Sequence, residues 1–181
     1  VVREWAKAGG IVGAMWHWQT RANNGTDYTC TPGTAPGETS FDPECISNVS
    51  SPDYKQLVHD IDQVAGYLKQ MQKRDIPVIW RPLHEAAGNT YEFEGGKAWF
   101  WWGAKGAEAY KKLWRFLYDR LVNYHKINNL IWVWNSQMGD SDWYPGNDVV
   151  DVVGRDSYYA LQYPLMKNFK QLQKEYPDKL I

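Results

Sequence analysis

Apolar residues in this chain keep two rhythms. Tyr54, Leu57, Val58, Ile61, Val64, Ala65, Leu68 and Met71 recur at three- and four-residue intervals. That spacing predicts a helix with one apolar face, started by Ser51-Pro52-Asp53, because proline fits a first helical turn. Tyr110, Leu113, Trp114, Leu117 and Leu121 predict a second helix, closing near His125. Against these stripes stand short continuous apolar runs over 11–16, 78–80, 130–134 and 149–154. Their brevity, their β-branched and aromatic residues and the turn residues around them predict buried strands. A helical tail up to Ala8 is broken by Gly9-Gly10, and a shorter helix is expected from Pro164 to Tyr176. Pro177 to Ile181 reads as the start of a further strand. Between Trp18 and Ser51 runs a loop rich in Pro, Gly, Ser and Thr, and long ordered loops are usually functional.

Strands alternating with helices predict right-handed βα units and a parallel sheet. A doubly wound sheet would be expected to carry a glycine-rich nucleotide turn, and neither GxGxxG nor a P-loop sequence occurs. The expected fold class is therefore α/β, a (β/α)8 TIM barrel. A closed barrel needs eight strands and typically about 250 residues. Residues 1–181 hold fewer strands and are read as one partial domain, completed by remaining barrel segments. Such a portion alone would leave strand edges unpaired and apolar faces uncovered, so poor solubility is expected of it.

The strands end in polar residues: His17; His84 and Glu85; Asn135; Asp156 and Tyr158. In a (β/α)8 barrel such positions converge on one face. The sharpest case is Val78-Ile79-Trp80-Arg81-Pro82-Leu83-His84-Glu85, where an apolar run gives way to a cation, an imidazole and a carboxylate. Beyond it lies Trp99-Phe100-Trp101-Trp102-Gly103, an aromatic cluster with neither helical nor strand period. The chain has 11 Trp and 12 Tyr, and many of these tryptophans fall in or just after expected strands. Rings at strand ends stack on sugar faces or on bases. A net charge of −1 and no interleaved lysine or arginine argue against bases, so no nucleic-acid partner is expected. No apolar stretch approaches 18 residues, so no membrane insertion is expected. Nor is a signal peptide visible; the chain reads as starting inside a fold. A carboxylate beside flat aromatic surfaces suggests sugar chemistry, with Glu85 catalytic.

Other readings of these residues stay open. Glu85 could form a strand-end ion pair with Arg81, and His84 could be a satisfied structural histidine. His17, His84 and Glu85 could ligate zinc, although no His-x-x-x-His spacing supports it; neither metal nor cofactor is expected. Cys30 and Cys45 could form a disulfide or remain two thiols. In extended backbone Trp101 and Trp102 would face opposite ways, one into the core and one, taken as Trp102, into a sugar-binding cleft. Asp140 and Asp142 are best explained as turn caps.

Arg81 to Glu85, followed by Trp99 to Gly103, resembles the signature of glycoside hydrolase family 26, whose best-known members are endo-β-1,4-mannanases. Gly9 to His17 is similar to that family's third strand, Ile131 to Asn135 to its fifth and Val152 to Tyr158 to its sixth. The resemblance implies a barrel portion from about strand three to the start of strand seven. It implies a retaining hydrolase of β-mannan or manno-oligosaccharides, secreted, periplasmic or on the cell surface. It also implies Glu85 as general acid/base, with His84 preceding it and Trp99 flooring the sugar subsite at the cleavage point. His17 is implied to contact substrate, and Tyr158 to hydrogen-bond the nucleophile. That nucleophile, a glutamate ending strand seven, is expected beyond Ile181, so the 181 residues alone are expected not to hydrolyse mannan. Asn89 to Lys97 departs from the family pattern as an insertion between Glu85 and Trp99. The same fold acting on mixed-linkage β-glucan or β-1,3-xylan is an alternative, as is a non-catalytic glycan-binding protein.

Overall fold

The computed structural model describes residues 1–157 and 162–181, the side chains of 162–164 excepted. Helix α1 (Val2–Lys7) leads into strand β1 (Val12–Trp16), followed by a short antiparallel hairpin, β2 (Thr20–Arg21) and β3 (Tyr28–Thr29). Helix α2 (Pro52–Gln72), strand β4 (Val78–Pro82), helix α3 (Gly106–Tyr118), strand β5 (Leu130–Ser136), strand β6 (Val152–Arg155) and helix α4 (Gln162–Glu175) complete the order. Four strands form one sheet in the order β1-β4-β5-β6, parallel throughout.

Both long helices arise where the periodicity places them. Ser51 caps α2 by accepting the Tyr54 N–H at 3.0 Å, and Pro52 occupies the first turn, where its missing N–H costs nothing. Leu57, Ile61, Ala65 and Leu68 form the buried face of α2; Tyr110, Leu113, Trp114 and Leu117 lie on that of α3. They share one core with Trp80, Trp132 and Trp134 of the sheet. Side chains alternate across a strand, so Met15, Ile79 and Ile131 lie on the other face, where each stays more than one-third exposed.

Two expectations are corrected. The segment expected to be only loop contains the β2–β3 hairpin and a 3₁₀ turn over Pro43–Ser47 capped by the Asp42 side chain, and a hydrogen bond between the buried Thr20 and Thr39 hydroxyls ties β2 to the segment that follows the hairpin. The strand expected from Val149 begins at Val152 instead. Val149 closes a 3₁₀ turn and gives its carbonyl to the Trp114 indole N–H, so its burial does not come from the sheet. Leu180 makes a parallel bridge with Val152 and accepts the Val153 N–H at 2.9 Å, so the end of the chain does begin to extend beside β6. Among the described residues no helix is long and apolar enough to cross a membrane.

Candidate active site

At the C-terminal end of β4 the chain turns sharply, with left-handed backbone at Leu83 (φ 49°) and again at Glu85 (φ 51°). For residues with a Cβ this conformation costs about 1–2 kcal/mol each, so it persists only where the surroundings dictate it. Here they do. The Tyr110 hydroxyl donates to the Leu83 carbonyl at 3.2 Å, and the Trp102 indole N–H donates to the His84 carbonyl at 2.9 Å. Gly88 N–H donates to the Glu85 carbonyl at 3.0 Å, and Glu85 N–H donates to the side-chain oxygen of Asn135 at 2.8 Å. Gly103 completes the packing, since a Cβ there would lie 2.0 Å from the Ala86 carbonyl oxygen. The aromatic segment therefore sits directly on the turn that carries Glu85.

His84 is buried, and its ring lies 5.2 Å from Phe100, 5.5 Å from Trp102 and 5.5 Å from His17, centroid to centroid. Burial first, then the Arg81 cation and His17, pushes its pKa down to about 4, so the imidazole is neutral at ordinary pH. Its buried Nδ1 has no hydrogen-bond partner among the described residues. Exposed His17 places its Nε2 3.1 Å from the Cys30 sulfur. The structure thus brings His17, His84, Glu85 and the 99–102 segment to one end of the sheet. Glu85 is 9% exposed and Trp99 37%. Tyr158 lies outside the described residues.

The expected cleft position of Trp102 is corrected. Both Trp101 and Trp102 are fully buried, because Trp101–Gly103 forms a 3₁₀ turn instead of extended backbone. Trp101 donates its indole N–H to the Trp18 carbonyl at 2.8 Å and its backbone N–H to the Cys30 carbonyl at 2.9 Å. Trp102 holds His84. The Arg81 ion pair goes to Asp156, and Arg81 also donates to Asn135 at 2.9 Å. The turn-capping expectation for Asp140 is corrected: it precedes the 3₁₀ turn Ser141–Trp143 without a side-chain cap, its carboxylate accepting instead from Gln137 N–H and the Ser136 hydroxyl, and burial raises its pKa to about 6. Cys30 and Cys45 are free and buried, which decides against a disulfide. Among the described residues no three His, Cys, Asp or Glu side chains are grouped to hold a metal ion.

The segment from Asn89 to Lys97, expected as an insertion, leaves the turn through a narrow neck. Asn89 N–H donates to the Lys97 carbonyl, and Lys97 N–H donates to the Asn89 side chain at 2.9 Å. Tyr91 anchors the far side: its hydroxyl donates to Asp142 at 2.7 Å and accepts from the Trp143 indole at 3.1 Å. Asn135 and Arg81 are visible in the sequence as polar residues at strand ends, but not the bonds they make to Glu85 and to each other; Tyr110 shows in the sequence only as part of an apolar helix face, and its hydroxyl on the Leu83 carbonyl carries no sequence signal.

A parallel α/β sheet that gathers a buried glutamate, histidines and tryptophans at its C-terminal strand ends is an arrangement suited to glycoside hydrolysis. The sequence pattern of Glycosyl hydrolase family 26 matches residues 1–181, and the chain belongs to that family. It is 45% identical over 170 residues to a mannan endo-1,4-beta-mannosidase of Thermothelomyces thermophilus, covering 92% of this chain and 33% of that protein. It is 39% identical over 149 residues to mannan endo-1,4-beta-mannosidase A of a Piromyces species, covering 82% and 22% respectively. The family 26 domain of an endo-beta-mannanase/endo-beta-glucanase from Prevotella bryantii superimposes with a TM-score of 0.87 at 35% identity, over 98% of this chain and 57% of that one. A beta-mannanase from a symbiotic protist of the termite Reticulitermes speratus, complexed with a gluco-manno-oligosaccharide, gives 0.79 at 33% identity, over 99% and 54%. The chain spans a third or less of the length of those two curated relatives. Its sheet is a portion of the (β/α)8 barrel of this family.

Proposed function

We propose that the protein hydrolyses internal β-1,4-mannosidic linkages of mannans by a retaining double displacement, with Glu85 as general acid/base. The observation that carries this reading is the placement of Glu85, buried at the end of β4 on a backbone fixed at Leu83, His84 and Glu85 itself. A general acid must meet the leaving oxygen within hydrogen-bond reach, so a backbone clamped at this point serves the chemistry. In the first step Glu85 protonates the departing glycosidic oxygen while a second carboxylate attacks the anomeric carbon. In the next step Glu85 removes a proton from water as the water oxygen attacks the anomeric carbon and displaces the second carboxylate, which releases the sugar with retained configuration. The second carboxylate is assigned to a glutamate on the strand that starts at Leu180 beside β6, the two carboxyl groups standing about 5–5.5 Å apart. Trp99 supplies a partly exposed ring for a sugar face, and His17 and neutral His84 supply hydrogen-bonding nitrogens. The mannan endo-1,4-beta-mannosidase relatives support the choice of glycan. A polymeric substrate fits a protein that is secreted, periplasmic or on the cell surface.

The test is hydrolysis by the complete protein. Glu85→Ala is expected to lower the rate on galactomannan by about a thousandfold, and the first-formed product of the unaltered protein should keep its β configuration. Activity of Glu85→Ala within about tenfold of wild type removes Glu85 from the acid/base role.

A further inference from the structure

We propose that Asn135 is a positioning residue for Glu85: its side-chain oxygen holds the glutamate's left-handed backbone and ties it to Arg81. The proposal rests on the acid/base reading of Glu85. One buried oxygen accepts two hydrogen bonds, from Glu85 N–H at 2.8 Å and from the Arg81 guanidinium at 2.9 Å. Arg81 is in turn ion-paired to Asp156. The Asn135 amide thus ties the end of β5 to Arg81 of β4 and to Glu85, and Arg81 carries the link on to Asp156 after β6. The other clamps act at carbonyls, from Tyr110 on Leu83 and from Trp102 on His84. Asn135 is the group holding the N–H of the strained residue itself, at φ 51°. A carboxyl group that must meet a leaving oxygen within a fraction of an ångström depends on that backbone, because small misplacements at a reacting centre cost large factors in rate.

Two substrates separate positioning of an acid from general damage. An unactivated manno-oligosaccharide needs its leaving oxygen protonated. A dinitrophenyl β-mannobioside does not, since dinitrophenolate departs as the anion. In the complete protein, Asn135→Ala is expected to lower kcat/KM for the oligosaccharide by about a hundredfold and for the dinitrophenyl substrate by no more than about threefold. An equal fall with both substrates, or no fall with either, overturns the role. Asn135→Asp keeps an acceptor and adds a negative charge beside Glu85, with Arg81, His84 and Asp156 still in place. It is expected to move the alkaline limb of kcat/KM upward by roughly half a pH unit or more, and an unmoved limb counts against the proposal even if Asn135→Ala does not fold. Glu85→Ala measured alongside separates the two ideas. If it spares both substrates, the acid/base reading has failed. If it discriminates between them and Asn135→Ala does not, only the role of Asn135 has failed.

Discussion

The indole N–H of Trp102 donates to the carbonyl oxygen of His84 at 2.9 Å, and both residues are buried. A ring from the aromatic segment thus fixes the peptide immediately before Glu85. Trp102→Phe keeps most of the packing but leaves that carbonyl without its donor, an omission that costs about 1–3 kcal/mol. Urea unfolding should register a loss in that range, together with a fall in kcat that exceeds any change in KM.

His84 should titrate near 4 in an NMR experiment, well below an unperturbed imidazole. Its folded pKa is depressed, so the unfolded chain binds the proton first as pH falls. The contribution of His84 to stability is therefore complete above about 6.5 and disappears as pH drops towards 4. In His84→Gln the His84 contribution to the rise of unfolding free energy with pH across that window should be lost.

Asp140 gives the opposite slope. Burial raises its pKa from 3.8 to about 6. The folded protein holds the proton where the unfolded chain has released it, so this contribution is present below about 4 and is lost as pH rises through 6. The two windows overlap and partly cancel in the unaltered chain. Asp140→Asn should therefore steepen the rise of stability with pH between those values, and His84→Gln should expose a decline. The same slope in both variants would contradict the assignment.

The two thiols should resist modification in the native protein. Burial pushes the pKa of Cys45 up to about 12 and raises that of Cys30 as well, so the reactive thiolate is scarce. A disulfide-exchange reagent should titrate both cysteines on unfolding and react only slowly before it. Absence of thiols after unfolding without reductant would restore the disulfide.

Tyr91→Phe removes the hydroxyl that links the insertion to Asp142 and Trp143. Because these bonds are partly solvent-exposed, global stability should change by no more than about 1 kcal/mol. Limited proteolysis should nevertheless cut the insertion faster than in the unaltered chain.

The sequence disclosed the parts of the site that lie together in it. Arg81 to Glu85 and Trp99 to Gly103 are contiguous, and the strand-helix alternation places them at one end of a parallel sheet. Asn135 was visible only as a polar residue ending a strand, because its link to Glu85 spans 50 positions and no local period encodes such a contact. Trp102 was misplaced for a physical reason: alternation of faces holds for extended backbone, and these residues form a 3₁₀ turn. The cysteines could not be decided from composition, since a shared loop fits a disulfide and two buried thiols equally. The β2–β3 hairpin escaped notice because two-residue strands carry too little pattern to rise above a polar loop.

The neck formed by Asn89 and Lys97 gives the insertion a closed base of its own. Shortening residues 90–96 is therefore expected to disturb Glu85 and Trp99 less than opening the Asn89–Lys97 closure does. Next to its proposed acid the chain thus carries a loop whose closure is separate from the backbone clamps at Leu83, His84 and Glu85.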